Sequence, residues 1–395
     1  MTTLLTIIGR GNLTSGGEAY QPTAYQFPGG SHTSVFFGAA LAAELAPTAI
    51  HLVGTRTSTW QALALDVLQD LDLATHLEAE QRTGPTLANL GVLAKGLSAA
   101  WSADTTCTML PIDQAPDAAE CTMVALHLYR LLPGRGPLIL DLTHGFRTLP
   151  MLAMAALHLH DAFHPGSMAR TTFWYGELAT PAGSAATPAR PGPAIATGRA
   201  LRLDGLRSIS RLAQAAAALT VGLNPEPLAA LVRATSRPLA EALDDLGEGL
   251  LAHDFTVLTK APEQILTHLD RLDGDLDGLV ANEIRAVVAP LAKGPLSQRL
   301  VALATLAQAV GRPALAALAA YEGLGRLATR DAQTADVDAA VAAFLAGKPE
   351  AAAVCDRLRR VRNRVAHGAQ TVRSDREPLG PALDAALPVL RRLLG

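Results

Sequence analysis

Residues 138–150 read LILDLTHGFRTLP. The first five form an apolar run of strand length. Pro150 suits the first turn of a helix, where its missing N–H leaves no bond unmade. Between them lie Thr143, His144, Gly145 and Arg147. A short strand that turns through a polar, glycine-containing loop into a helix is the repeating unit of a parallel α/β sheet. Such a loop aims free backbone N–H groups and the positive end of the helix dipole at an anion. Arg147 adds a bidentate phosphate donor, and Gly145 lets a ligand approach the backbone. Asp141 suits either a catalytic carboxylate or a brace for the turn. The loop reads as a ligand site.

The pattern repeats outward from this stretch. Apolar runs at 4–8 and 49–53 each end in a glycine, and a further run covers 171–175. Helical spacing occupies 34–45, 118–132 and 150–162. Another helix is expected from Ser58, where S-T-W-Q reads as a capping box leading into 62–71. Strands alternating with helices predict a mainly parallel, Rossmann-like sheet covered on both faces. Residues 181–200 are rich in Pro, Ala, Gly and Thr and read as a linker or loop. From 206 to 394 the spacing is helical throughout, with prolines and glycines dividing it into six or more helices. The expected architecture is an α/β domain over 1–180, the linker over 181–200, and an all-α domain over 201–395. No repeat of 20 to 50 residues is present.

Composition bounds the function. A chain of 395 residues reads as two or three domains and buries roughly three quarters of its unfolded surface without a staple. The three cysteines, Cys107, Cys121 and Cys355, form no C-x-x-C pair. That argues against a disulfide scaffold and a zinc site and fits a reducing compartment. Apolar residues are 49%, aromatic 4% and charged 17%, a globular composition. Mean hydropathy is +0.22, yet charged residues, Gln or Pro interrupt every apolar stretch before membrane-spanning length. The opening MTTLLTIIGRGN lacks a basic segment and reaches glycine too soon for a signal peptide. A soluble cytoplasmic protein is expected. The net charge of −3 means that any nucleic-acid site must be a local patch.

Three further segments carry candidate chemistry. After the first strand, IIGRGNLTSGG supplies G-x-G at Gly9 and Gly11, but Thr14 stands where a dinucleotide fingerprint needs its third glycine, and the second strand ends HLVGTRTS without an acid for the ribose. A glycine-rich turn at the end of a parallel strand remains a place where α/β sheets bind ligands. Near the C-terminus, residues 356–368 read DRLRRVRNRVAHG, giving R-N-x-x-x-H at Arg362, Asn363 and His367. On a helix Asn363 and His367 stack at i, i+4, whereas Arg362 and His367 lie about 140° apart. The set therefore lines the wall of a cleft, for which a two-fold dimer is the simplest second wall. Residues 357–376 hold seven Arg and one Asp, enough local charge for a polyanion. In HLHDAFH, residues 158–164, His160 and His164 share a helix face and His158 points away, so no three ligands converge and no metal is expected. The sequence has no G-x-S-x-G, H-E-x-x-H or P-loop motif.

Taken together, GRGN at 9–12 followed by YQPTAYQF, the loop DLTHGFRTLP, and a helical C-terminal half ending in RNRVAH resemble the CARF–HEPN proteins of type III CRISPR systems. The resemblance spans nearly the whole chain. It implies a CARF sensor followed by a HEPN ribonuclease domain, in a homodimer or higher even oligomer. Cyclic oligoadenylate, with cyclic tetra-adenylate preferred, would act as the allosteric activator and single-stranded RNA as the substrate. Arg362, Asn363 and His367 match the HEPN motif. Gly11, Asn12, Thr143, His144, Gly145 and Arg147 match the two ligand loops of the sensor. The implied reaction is metal-independent and needs no cofactor, and its products carry 2′,3′-cyclic phosphate and 5′-OH ends. The segment after 176 does not align with the family.

Two other readings come from different classes. One is a ring nuclease or pure sensor, in which the α/β half cleaves or only binds the messenger and the helical half is inert. Intact Arg362 and His367 argue against inertness. The other is a nicotinamide-linked enzyme, opposed by the missing glycine and acid.

Overall fold

In β1, Thr3–Ile8, all six residues are buried, and the apolar side chains alternate between two cores: Leu4 and Ile8 enter one, Leu5 and Ile7 the other. That is the signature of a central strand covered on both faces. The computed structural model describes the chain except residues 10–11, 15–16, 20–21, 103, 113–116, 145–147, 179–194, 271–274, 331–335, 368–378 and 395. For 12–14, 17–19, 118, 275–280 and 367 it describes the backbone alone. The chain forms two compact units, Met1–Ser210 and Arg211–Gly395.

The first unit holds β2 (Asn12–Thr14), β3 (Gly17–Ala19), β4 (Thr23–Phe27), β5 (Gly30–Ser34), β6 (Ala49–Thr55), β7 (Thr106–Ile112), β8 (Leu138–Asp141), β9 (Thr171–Leu178) and β10 (Ala196–Arg202) besides β1. β2 and β3 form a separate ribbon, and the other eight make one sheet in the order β5-β4-β10-β9-β8-β1-β6-β7. Neighbours from β9 through β7 are parallel, as are β10 and β4, while β10–β9 and β4–β5 are antiparallel. The sheet is mixed and mainly parallel. Helices α1 (Phe37–Leu45), α2 (Gln61–Leu63), α3 (Leu71–Glu80) and α4 (Leu87–Trp101) cover the face of Leu4 and Ile8; α5 (Ala118–Leu131) and α6 (Thr148–Phe163) cover the other.

Several boundaries differ from the expected ones. The helix anticipated from residue 34 starts at Phe37, because Ser34 ends β5 and pairs with Thr23. Ser58 forms no capping box. Its hydroxyl donates to Ile8 O at 2.9 Å and accepts from Thr55 N, so it fastens β6 to β1. The helix that follows passes into a π-helical turn at Ala64–Leu68, and Asp70 caps the next one through Leu73 N. The strands β4, β5, β7 and β10 were not anticipated. β4 and β5 are short and part polar, and β7 carries Pro111, which an edge strand tolerates. β10 begins at Ala196, inside the stretch read as linker, because pairing with β4 and β9 supplies the order that its composition does not. By contrast, the helix after the 142–147 loop begins at Thr148, which leaves Pro150 in its first turn as expected.

The remaining described elements are α7 (Asp204–Gly222), within which the unit boundary falls, and α8 (Glu226–Val232), α9 (Arg237–Ala252), α10 (Val257–Leu269), α11 (Asp275–Ala292), α12 (Leu296–Ala309), α13 (Pro313–Ala328), α14 (Val337–Leu345), α15 (Pro349–His367) and α16 (Leu379–Leu394). No strand occurs among the described residues after β10. Prolines open α9 and α13 as sequence reasoning expects. Pro262, Pro290 and Pro388 instead lie within helices, held there by burial of the faces around them. Helix α13 packs against α12, α14, α15 and α16. Its row of buried alanines and glycines permits the close approach: a Cβ on Gly323 would meet Ser297 O of α12 at 3.2 Å. Among the described residues, no helix is long and apolar enough to cross a membrane.

Gly38 is the tightest point of the first unit. A Cβ there would lie 2.2 Å from Thr6 Oγ1 and 2.6 Å from the Phe36 ring. Gly38→Ala is expected to cost about 1–3 kcal/mol and to lower the melting temperature by roughly 3–10 °C. Tryptophan fluorescence reads this unit selectively, since Trp60, Trp101 and Trp174 all lie in it.

Candidate functional site

β1 stands between β6 and β8. The chain runs from β1 to β6 and β7 on one side, and then to β8 and β9 on the other. The carboxyl ends of β1 and β8 therefore flank a topological switch point, where open α/β sheets bind ligands. Both loops singled out in the sequence, the one after Gly9 and the one after Asp141, leave the sheet there.

Asp141 has no exposed surface. Thr6 Oγ1 donates to its Oδ2 at 2.6 Å, and the Thr143 N–H donates to its Oδ1 at 2.8 Å. Burial raises its carboxyl to about 6, and these bonds, with one from the Thr143 hydroxyl, oppose the rise. The inaccessible carboxylate braces the turn; it does not reach a ligand. Thr143 Oγ1 also accepts from Gly176 N at 2.7 Å, which ties the loop to β9. The next residue, His144, stacks on Phe36 with ring centroids 5.4 Å apart, and its Nε2 accepts from the Phe37 N–H at 3.3 Å. Burial lowers the imidazole to about 4, so it is neutral and can accept that bond. His144 thus satisfies a backbone donor in the first turn of α1. Gly9 O accepts from Thr59 N at 3.1 Å, which holds the start of the other loop.

The structure brings together Thr143, His144 and the start of α1. Asn12 opens β2, described by its backbone alone, and Gly11, Gly145 and Arg147 lie outside the described residues. Thr6 was missed by sequence reasoning; the signal was a hydroxyl enclosed by apolar residues in LLTII, residues 4–8.

In the second unit, α15 buries Cys355, Leu358 and Val361 in the helical core. Arg362 and Asn363 are half-buried on the flank of that stripe. The Arg362 guanidinium lies over the Tyr321 ring, 4.4 Å from its centroid, and its Nη1 donates to Asn363 Oδ1 at 2.7 Å. Among the described residues no carboxylate pairs with Arg362. The Tyr321 hydroxyl donates to Asp338 Oδ1. Burial, the largest cause, and that carboxylate hold the phenol far above its ordinary pKa, so it stays neutral. Arg359 and Arg360 both bond Asp356, which offsets part of the basic patch. His367 ends α15 one turn beyond Asn363; its backbone alone is described. Sequence reasoning missed Tyr321 and Asp338. The available signal was a single tyrosine in the alanine-rich AALAAYEGLG.

The histidine run behaves as its spacing predicted. His160 and His164 lie together, ring centroids 4.4 Å apart, while His158 faces Ser210. His160 Nδ1 contacts Ser167 Oγ at 2.9 Å, a bond within the turn that follows α6. Among the described residues no three His, Cys, Asp or Glu side chains gather as metal ligands.

Because the carboxyl of Asp141 is raised from 3.8 to about 6, the folded state binds a proton that the unfolded state has already released in that window. Stability therefore falls as the pH rises from about 4 to about 6. Relative to Asp141→Asn, the wild type is expected to lose roughly 3 kcal/mol across that range, measured by denaturant unfolding followed through tryptophan fluorescence. Parallel pH profiles of the two proteins would disprove this assignment.

No family model matches the sequence, and no curated protein matches it. Among solved structures, the chain is similar to Enterococcus italicus Csm6 bound to cyclic hexa-2′-fluoro-hexa-dAMP, at 13% identity and a TM-score of 0.36, over 100% of this chain and 93% of that one.

Proposed function

We propose that this chain is a homodimeric, metal-independent endoribonuclease of CARF–HEPN type, acting on single-stranded RNA and switched on by cyclic oligoadenylate. The observation that carries the reading is Arg362: a guanidinium braced on the Tyr321 ring, bonded to Asn363, and on the helix that His367 ends. An RNA 2′-OH is an internal nucleophile. Its attack on the adjacent phosphate needs a group to move a proton and a cation to meet the growing charge. Imidazole titrates near neutral pH and suits the first task, assigned to His367. A guanidinium matches phosphate geometry and suits the second, assigned to Arg362. Asn363 orients the pair. The leaving 5′-oxygen departs as a hydroxyl and the 3′ side retains a 2′,3′-cyclic phosphate.

The sensor reading rests on the switch point. The two strand ends that carry the loops flank it, His144 of the second loop bonds the start of α1, and that loop contains Arg147 in its sequence. Thr143 and His144 shape that loop through their bonds to Asp141, Gly176 and Phe37, while Gly11, Asn12, Gly145 and Arg147 supply the surface for the ring phosphates. By linkage, the ring activates only in so far as it binds the active arrangement more tightly than the resting one. Cyclic tetra-adenylate is the preferred activator by family resemblance alone; two-fold symmetry favours an even-numbered ring over an odd one without choosing its size.

Arg362→Ala and His367→Ala are each expected to slow cleavage of a fluorescent single-stranded RNA by on the order of a hundred-fold or more. The wild type should cleave equally well in EDTA. Near-wild-type cleavage by either variant, or loss in EDTA restored by magnesium or manganese, would refute the assignment.

Arg147→Ala is expected to raise the half-activating ring concentration about ten- to a hundred-fold, through loss of a charge-assisted phosphate bond, with the saturated rate retained. A titration of rate against activator, with ring binding measured alongside, tests this. An unchanged midpoint would place the phosphate site elsewhere.

A further inference from the structure

Beside Arg362 lies a cavity of about 330 Å³ that the reaction as proposed does not use. Helix α14 lines it with Asp338, Val341, Ala342 and Leu345, and α15 with Ala352, Cys355, Asp356 and Arg359. Both sets follow i, i+3, i+4, i+7 spacing, so one continuous face of each helix forms a wall. Val341, Leu345 and Cys355 are buried and make an apolar floor, whereas Asp338 is exposed and Asp356 and Arg359 half-buried toward the rim. Tyr321 closes the remaining side and is the same ring on which Arg362 rests. The α15 face continues from Arg359 to Arg362 and Asn363, a rise of about 5.4 Å per turn. The cavity is therefore one helical turn from the guanidinium assigned to the scissile phosphate.

Resting on the ribonuclease reading of this site, we infer that the cavity is a specificity pocket for the nucleobase next to the scissile phosphate, and that it selects guanine. Its apolar walls suit a single planar heterocycle. Its polar groups are Asp338, Asp356 and Arg359; Asp356 is already taken by Arg359 Nε and Nη2 and by Arg360, which leaves Asp338 as the accepting carboxylate and Arg359 Nη1 as the donor among the described residues. Asp338 uses Oδ1 for the Tyr321 hydroxyl, and its Oδ2 has no hydrogen-bond partner among the described residues. Guanine is the RNA base whose Watson–Crick edge offers two adjacent donors, N1–H and N2–H, beside a carbonyl acceptor, O6. A carboxylate takes the donors and Arg359 takes O6. Adenine and cytosine each offer one donor group beside ring acceptors, which a carboxylate repels.

The test uses the full chain with cyclic oligoadenylate added and a pool of single-stranded RNAs whose cut sites are mapped by sequencing. Guanosine is expected beside the cut. Asp338→Asn retains an oxygen for the Tyr321 hydroxyl and presents an N–H where guanine needs an acceptor. It should reduce the preference for guanosine over adenosine about ten-fold or more. Direct binding of 3′-GMP and 3′-AMP, measured by calorimetry, gives a readout apart from cleavage. The first should bind more tightly, and Ala342→Trp, which fills the cavity from its exposed side, should abolish the difference. Cleavage with no base preference, or a preference unchanged in Asp338→Asn, overturns the pocket. Selective GMP binding that Ala342→Trp removes, in a chain that cleaves no RNA, sustains the pocket and overturns the ribonuclease reading instead.

Discussion

Removing a carboxylate from water is costly unless hydrogen bonds replace the lost hydration, and Asp141 meets that cost at the centre of an eight-stranded sheet. Thr6 from the neighbouring strand and the backbone of Thr143 take its two oxygens. The first bond holds β8 to β1 at the last turn of their pairing. The second bends the chain out of the sheet at the point where the strand order reverses. Because Thr6 must reach Asp141, α1 has to pass over Thr6 with a glycine, and Gly38 is that residue. Thr143 then reaches β9 through Gly176, and His144 reaches α1 through Phe37. The shape of the candidate ligand loop follows from one buried carboxyl held by Thr6 and Thr143, and from the bonds Thr143 and His144 make in turn to β9 and α1.

The second unit solves a different problem. Under the proposed ribonuclease reading, a guanidinium that meets a phosphate must stay charged and held without a carboxylate neutralising it. Arg362 is held by an aromatic face and an amide oxygen, which position it without cancelling its charge. Its neighbours Arg359 and Arg360 are treated differently, since Asp356 bonds both. The support depends on α13, whose small residues bring α12 and α15 close enough for Tyr321 to be buried while its ring still meets Arg362. Asp338 then fixes the ring by its hydroxyl.

Periodicity made the α/β half and the helical half legible, because β1, β6 and β8 are almost wholly buried and their residues are mostly apolar. The edge of the sheet was not legible. β4 and β5 are short, all three of β4, β5 and β10 are part polar, and β10 is placed by pairing with β4, which lies far away in sequence. Ser58 shows the same limit at a single residue. A serine before Q-A-L has the local chemistry of a helix cap, but a carbonyl of β1 fifty residues away is the better partner.

The sequence by itself determined which residue types stand at the two candidate sites: the polar loop after Asp141, and Arg362, Asn363 and His367 at helical spacing. It did so because both signals are local, one a strand-to-helix turn and the other a repeat of 3.6 residues. Only the tertiary structure decided what those residues touch. Asp141 became a brace because Thr6, 135 positions earlier, lies beside it. Arg362 gained its support because Tyr321, on another helix, presents a ring to it. Contacts of that range depend on how strands and helices pack, and no window of neighbouring residues contains them.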